Sequence, residues 1–176
     1  MSATADEAAC CNWTVAGAMR WAEVGRLEEW IHTYLGVAEW ANPGLSNGLK
    51  LKERFWVGPA EVLLCDIDRH CGPEPEMEFR EPAEQWERRI EAMRASIHSV
   101  TDLPPLILDA RNGTRRNVDG SMRFVCADGT HRLEALRRQG RERCFGVIWF
   151  ETDDVRAEYL AERGGVVGVA LPQVAT

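Results

Sequence analysis

Residues 124–140 read Phe124-Val125-Cys126-Ala127-Asp128-Gly129-Thr130-His131-Arg132-Leu133-Glu134-Ala135-Leu136-Arg137-Arg138-Gln139-Gly140. A short apolar strand runs into Asp-Gly, a helix begins at once, and Gly140 closes it. Gly129 has no β-carbon and so permits both a tight turn and close approach of a ligand. The start of the helix presents unpaired N–H groups and the positive end of the dipole, which together favour an anion. Thr130 can cap the helix or donate its hydroxyl, and His131 and Arg132 add donors in the first turn. The planar fork of arginine suits two phosphate oxygens at once. A helix whose Asp and Thr only satisfy backbone, with His and Arg in solvent, meets the same spacing.

Working outward, Met122 opens the strand that leads into this turn. Asp119-Gly120 and Asn112-Gly113 mark hairpin turns before it, and Leu106-Ile107-Leu108 forms a strand after Pro104-Pro105. Pro82 suits the first turn of a helix that carries Trp86, Ile90, Met93 and Ile97 at helical spacing. Residues 71–76, with Pro73 and Pro75 around Glu74, form an irregular loop. Residues 61–70 alternate, with Leu63, Cys65 and Ile67 on one side and Leu64, Asp66, Asp68 and His70 on the other, which predicts a strand. Downstream, residues 145–150 predict a strand and 153–163 a last helix before Gly164-Gly165. Residues 1–50 are helical in pattern: Leu27, Trp30, Ile31, Tyr34 and Leu35 share a face that Gly36 ends. Asn42-Pro43-Gly44 and Asn47-Gly48 mark irregular chain. Five of the seven tryptophans precede residue 57; they pack this extension onto the rest or wall a pocket. The expected class is α+β with a small mixed sheet, flanking helices and an N-terminal helical extension.

The 176 residues are 45% hydrophobic, which suits a folded chain, and no stretch reaches the roughly 20 apolar residues of a membrane helix. Met1 to Cys10 lacks the basic-then-apolar pattern of a secretory signal, so a cytoplasmic protein that does not engage a membrane is expected. Cysteines 10, 11, 65, 71, 126 and 144 form no C-x-x-C pair and read as reduced thiols. Net charge is −7, unevenly distributed: residues 101–143 hold nine Arg and six acids, the remainder 12 bases and 22 acids. A basic segment in an acidic chain favours a compact anion over a DNA duplex.

The Pro104–Leu108 strand, the hairpin and the Asp128-Gly129-Thr130-His131-Arg132 helix start, in that order, resemble the core of the ParB/sulfiredoxin-like superfamily. The resemblance covers about 57–150, with 1–56 as a Trp-rich extension and 151–176 as a helix and tail. It implies that the turn lies at the phosphates of a nucleotide. A sulfiredoxin would carry its catalytic thiol directly before His131-Arg132, where this chain has Thr130. A chromosome-partitioning clamp would continue into a helix-turn-helix domain, whereas the 26 residues after Phe150 have room for one helix. The free-serine kinases are the closest active analogy, although their motif has a second histidine or small polar residue where Thr130 stands.

That resemblance implies an ATP- or ADP-dependent, or CTP-dependent, phosphotransferase that acts with Mg²⁺ on a small hydroxyl-bearing metabolite. Gly129, Thr130, His131 and Arg132 would hold phosphate, and Asp128 would hold Mg²⁺ or help accept a proton. Glu74, with Glu76 and Glu78 as rivals, would be the general base; Asp128 and His131 complete the catalytic set. A homo-oligomer is left open. The alternative is a nucleotide-binding regulatory or DNA-associated module, with nuclease activity among its forms. Asp66, Asp68, His70 and nearby Cys71 form a second candidate metal cluster, and Arg111, Arg115 and Arg116 a candidate anion-steering patch, each open to a plainer reading as solvated surface.

Overall fold

The computed structural model describes residues 13–37 and 41–164. Cys10, Cys11, Trp40 and Gly165, on which some expectations fall, lie outside the described residues. Three helices lead the chain: α1 (Val15–Glu23), α2 (Leu27–Tyr34) and α3 (Pro43–Leu49). Strands β1 (Phe55–Leu63), β2 (Ile67–Asp68), β3 (Cys71–Gly72) and β4 (Phe79–Arg80) follow, then helix α4 (Ala83–Ser96). Next come β5 (Leu106–Asp109), β6 (Phe124–Asp128), helix α5 (Thr130–Arg138), β7 (Arg143–Phe150) and helix α6 (Asp153–Glu162).

The architecture is mixed α+β, with six helices among the described residues. Five strands form one sheet in the order β1-β7-β5-β6-β2, with β7/β5 and β6/β2 parallel and the other pairs antiparallel. Strands β3 and β4 make a separate parallel pair. No helix among the described residues is long and apolar enough to cross a membrane.

The two-residue period of a strand sorts the central side chains onto two faces. Leu106, Leu108, Ile148 and Phe150 join Trp86 and Ile90 of α4, Leu133 and Leu136 of α5 and Tyr159 of α6 in one core. Ile107, Val147 and Trp149 point the other way and meet Ala18, Leu27, Trp30, Ile31 and Tyr34 of the leading helices. Coverage on both sides explains why β7 is apolar at nearly every position instead of alternating. The extension is therefore one layer of a three-layer structure, and β1 runs across the boundary expected between residues 56 and 57.

Most of the periodic elements fall where the pattern places them; the alternating stretch at 61–70 and the irregular segments differ. The strand expected over 61–70 is interrupted, because Leu64 and Ile67 are both buried and only three residues apart. A 3₁₀ turn at Leu64–Asp66 satisfies that spacing and leaves Cys65 outside. Asn42-Pro43-Gly44, read as irregular, instead starts α3: the Asn42 side chain accepts from the Leu45 N–H and Pro43 occupies the first turn. Strand β6 begins at Phe124, while Met122 makes only an isolated bridge to Arg116.

Trp30 anchors the leading layer. It is fully buried and stacks on Tyr34 with ring centroids 5.4 Å apart and planes 3° apart. Trp30→Ala is expected to destabilise the whole protein by about 3–5 kcal/mol in urea denaturation. A loss below about 1 kcal/mol would show that this layer is not bound as a core element.

Candidate functional site

Strand β6 ends at Asp128, and Gly129 turns the chain with φ +94°, left-handed, into the N-cap position of α5. A Cβ at Gly129 would lie 2.6 Å from the Arg132 Nη2 and 2.6 Å from a Leu106 methyl. Packing against Arg132 therefore demands glycine as strictly as the backbone does. No side chain caps α5, so its first N–H groups are left for solvent or a ligand.

Arg132 itself points inward and is 4% exposed. Its guanidinium donates to the Pro104 carbonyl at 2.8 Å, to the Tyr34 hydroxyl at 3.0 Å and to Asp128 Oδ2 at 3.3 Å. Tyr34 also donates to Asp128 Oδ2, and Asn42 Nδ2 to Asp128 Oδ1, each at 3.3 Å. Burial, only partly offset by Arg132, pushes the Tyr34 phenol up to about 12, so it stays a donor. The sequence places Asp128 and Arg132 at the turn for a ligand; the structure turns Arg132 inward and holds Asp128, at the cavity edge, through Arg132, Tyr34 and Asn42. The residues do not fit Mg²⁺ at Asp128, because the ion would sit beside a buried guanidinium and displace the donors already on both oxygens.

In front of the turn opens a cavity of about 660 Å³, within the usual range for a small-molecule site. Asp128, Gly129, Thr130 and His131 line one side, Asn42 and Leu45 of the leading layer another. His70, Cys71, Glu78 and Phe79 come from the β3–β4 strap, and Asp109 and Arg111 from the end of β5. Arg111 and Asn112 both adopt left-handed backbone, φ +46° and +53°. Such strain at non-glycine residues costs on the order of 1–3 kcal/mol each and clusters at functional sites. The Arg111 side chain, 43% exposed, reaches Asp109 at 3.3 Å. Burial pushes the Asp109 carboxyl above the usual range despite the Arg111 N–H and charge. The cation at the cavity is thus Arg111, while Arg132 serves the interior.

Glu74 does not line the cavity. It pairs with Arg69 at 2.5 Å, and Arg69 lies over Trp86 and near Glu134, which fastens the Pro-rich loop to α4 and α5. Burial would raise the Glu74 carboxyl, but the Arg69 hydrogen bond and charge outweigh it and hold it low. Of its rivals, Glu78 lines the cavity, 3.9 Å from His70 Nδ1, and Glu76 does not. The His131 ring, tilted against Trp86 at 4.9 Å, has its Nε2 2.7 Å from Glu81 Oε2. Glu81, just before Pro82, had no mark in the sequence beyond an acid near a helix start.

The remaining candidates disperse. Arg115 and Arg123 pair with Asp68, Arg116 with Glu158 and Glu162, and Asn117 donates to Asp66. Asp66, Asp68 and His70 thus face different partners, and among the described residues no three metal-ligating side chains converge. The Cys126 thiol is buried and pushed up to about 12 by that burial, so it is no thiolate nucleophile. Comparison with known proteins finds no matching family model and no matching curated protein.

Two predictions test this geometry. Arg132→Ala removes a buried guanidinium and leaves the half-buried Asp128 beside Tyr34 without its cation, and should cost about 3–5 kcal/mol in urea denaturation. Arg111→Ala, at the exposed mouth, should cost less than about 1 kcal/mol. Reversal of that order would place Arg132 outside the interior cluster. Burial also lowers the proton affinity of His70, and of His32 in the leading layer. The unfolded chain then binds those protons more tightly, so stability is lost as pH falls from about 6.5 through the lower folded-state values. His70→Asn should flatten the fall of the urea midpoint over that window; an unchanged slope would show that His70 stays equally solvated.

Proposed function

We propose that this chain is a nucleotide-dependent phosphotransferase of ParB/sulfiredoxin-like fold, acting on a small hydroxyl-bearing metabolite. The observation that carries the reading is the cavity that opens on the uncapped start of α5, at Gly129, Thr130 and His131. Backbone N–H groups there suit phosphate oxygens, and Arg111 adds a partly exposed guanidinium on the cavity wall. Phosphoryl transfer depends mainly on positioning and charge neutralisation, the roles this reading gives to the helix start and Arg111. Mg²⁺ would arrive with the nucleotide phosphates and leave Asp128 to its interior partners.

A second reading, a nucleotide-binding module without turnover, draws support from the engagement of Asp128 and Arg132 inside the fold. Its DNA-associated form is weaker, because Arg115, Arg116 and Arg123 are paired with acids instead of forming a free basic face.

ATP, ADP and CTP, each with and without Mg²⁺, should be screened by thermal shift. A bound nucleotide at 100 times its Kd stabilises by about 2.7 kcal/mol. Arg111→Ala should weaken binding on the order of 10–100-fold, as expected for losing charge-assisted hydrogen bonds. Radiolabel transfer from the γ-phosphate to a pool of small hydroxyl compounds separates the two readings. Binding without transfer supports the second, and no shift with any nucleotide overturns both.

A further inference from the structure

Among the side chains that line the cavity, His131 carries chemistry that the phosphate reading leaves unused. We infer that His131 is the catalytic residue that accepts the hydroxyl proton of the acceptor, and that Glu81 is the positioning residue that fixes its tautomer. This rests on the phosphotransferase reading of the same site.

Glu81 is held by the backbone before its carboxylate is considered. The pairing of β3 with β4 continues past Arg80, where the Glu81 N–H donates to the Gly72 carbonyl at 3.0 Å. Its side chain is only 10% exposed, with Arg89 at 2.9 Å from Oε1 and His131 Nε2 at 2.7 Å from Oε2. The His131 ring is further confined by Trp86, itself buried one turn into α4. An ionised carboxylate can only accept, so in the neutral ring the proton sits on Nε2 and Nδ1 keeps its lone pair. Nδ1 has no partner among the described residues, and His131 lines the cavity. A ring clamped on one nitrogen by a carboxylate and free on the other is the arrangement by which a base is oriented. Glu74, paired with Arg69 outside the cavity, does not supply this function, and Cys71, its thiol pushed up by burial, stays protonated.

In the step, His131 Nδ1 takes the proton of the acceptor hydroxyl as the oxygen lone pair bonds the terminal phosphorus. The bond from phosphorus to the bridging oxygen breaks, and its electron pair leaves on the nucleoside diphosphate. Glu81 balances the imidazolium charge until the proton passes to solvent.

The test uses the full chain labelled with ¹⁵N-histidine. Spectra at about pH 8.5, well above the ordinary imidazole range, should show His131 as the Nε2–H tautomer alone. Glu81→Gln, which can donate as well as accept, should give a mixture of tautomers. The same variant should lower kcat on the order of 10²–10⁴-fold with the nucleotide KM and thermal shift unchanged. Glu81→Asp should recover part of the rate, and His131→Asn should lose it to the same degree as Glu81→Gln. An unchanged tautomer in Glu81→Gln, or an unchanged kcat, overturns the dyad while transfer by the wild type stands. Absence of any transfer by the wild type overturns the phosphotransferase reading and the catalytic role of His131 with it, and the tautomer then still decides whether Glu81 orients the ring.

Discussion

A guanidinium removed from water must find partners for its charge and its donors, and Arg132 finds them in three separate parts of the chain. The Pro104 carbonyl belongs to the entry into β5, Tyr34 to the leading helices, and Asp128 to the end of β6. Burial of that charge is tolerable only while all three remain in place, since removal of one partner leaves an uncompensated ion or dipole. Several features follow from this single constraint. Gly129 must lack a β-carbon because the guanidinium lies against it. Asn42 is drawn onto Asp128 through Nδ2, and its Oδ1 caps α3. The leading helices thereby become a wall of the cavity as well as a cover for the sheet.

The opposite wall is built by different means. Strands β3 and β4 are only two residues each, too short to be stable alone, and they lean on side-chain contacts. Arg69 lies over Trp86 and pairs with Glu74, so the Pro-rich loop is tied to α4 at the residue that also confines His131. Phe79, large and 56% exposed, stands at the cavity against His70 with ring centroids 5.2 Å apart. An apolar edge of this kind beside a row of backbone donors is the feature on which the nucleotide proposed for this cavity would place its flat end. Arg111, held in a strained backbone at the end of β5, brings a cation to the same space.

Much of this fold was legible before any coordinates. The spacing of Trp86 and Ile90, of Leu27, Trp30, Ile31 and Tyr34, and the apolar run of β7 each specify an element, because local geometry repeats at a fixed period and burial follows it. The Asp-Gly turn and the helix start after it were equally legible, since a left-handed glycine between strand and helix is a local property, although Thr130, open to reading as a cap, is instead the first helical residue. Short elements were less so: α3 was hidden by Asn-Pro-Gly, which starts a helix as readily as a loop, and the 3₁₀ turn by an alternation that two buried leucine-sized residues override. The roles of charged side chains were beyond reach. The sequence by itself determined that Asp128, Thr130, His131 and Arg132 stand at a strand-to-helix turn. Only the tertiary structure decided that Arg132 faces inward to Tyr34, 98 positions away, while His131 meets Glu81, 50 positions away. An ion's partner is chosen by whatever the fold brings within a few ångströms of it once water is excluded, and no local period of the chain encodes that choice.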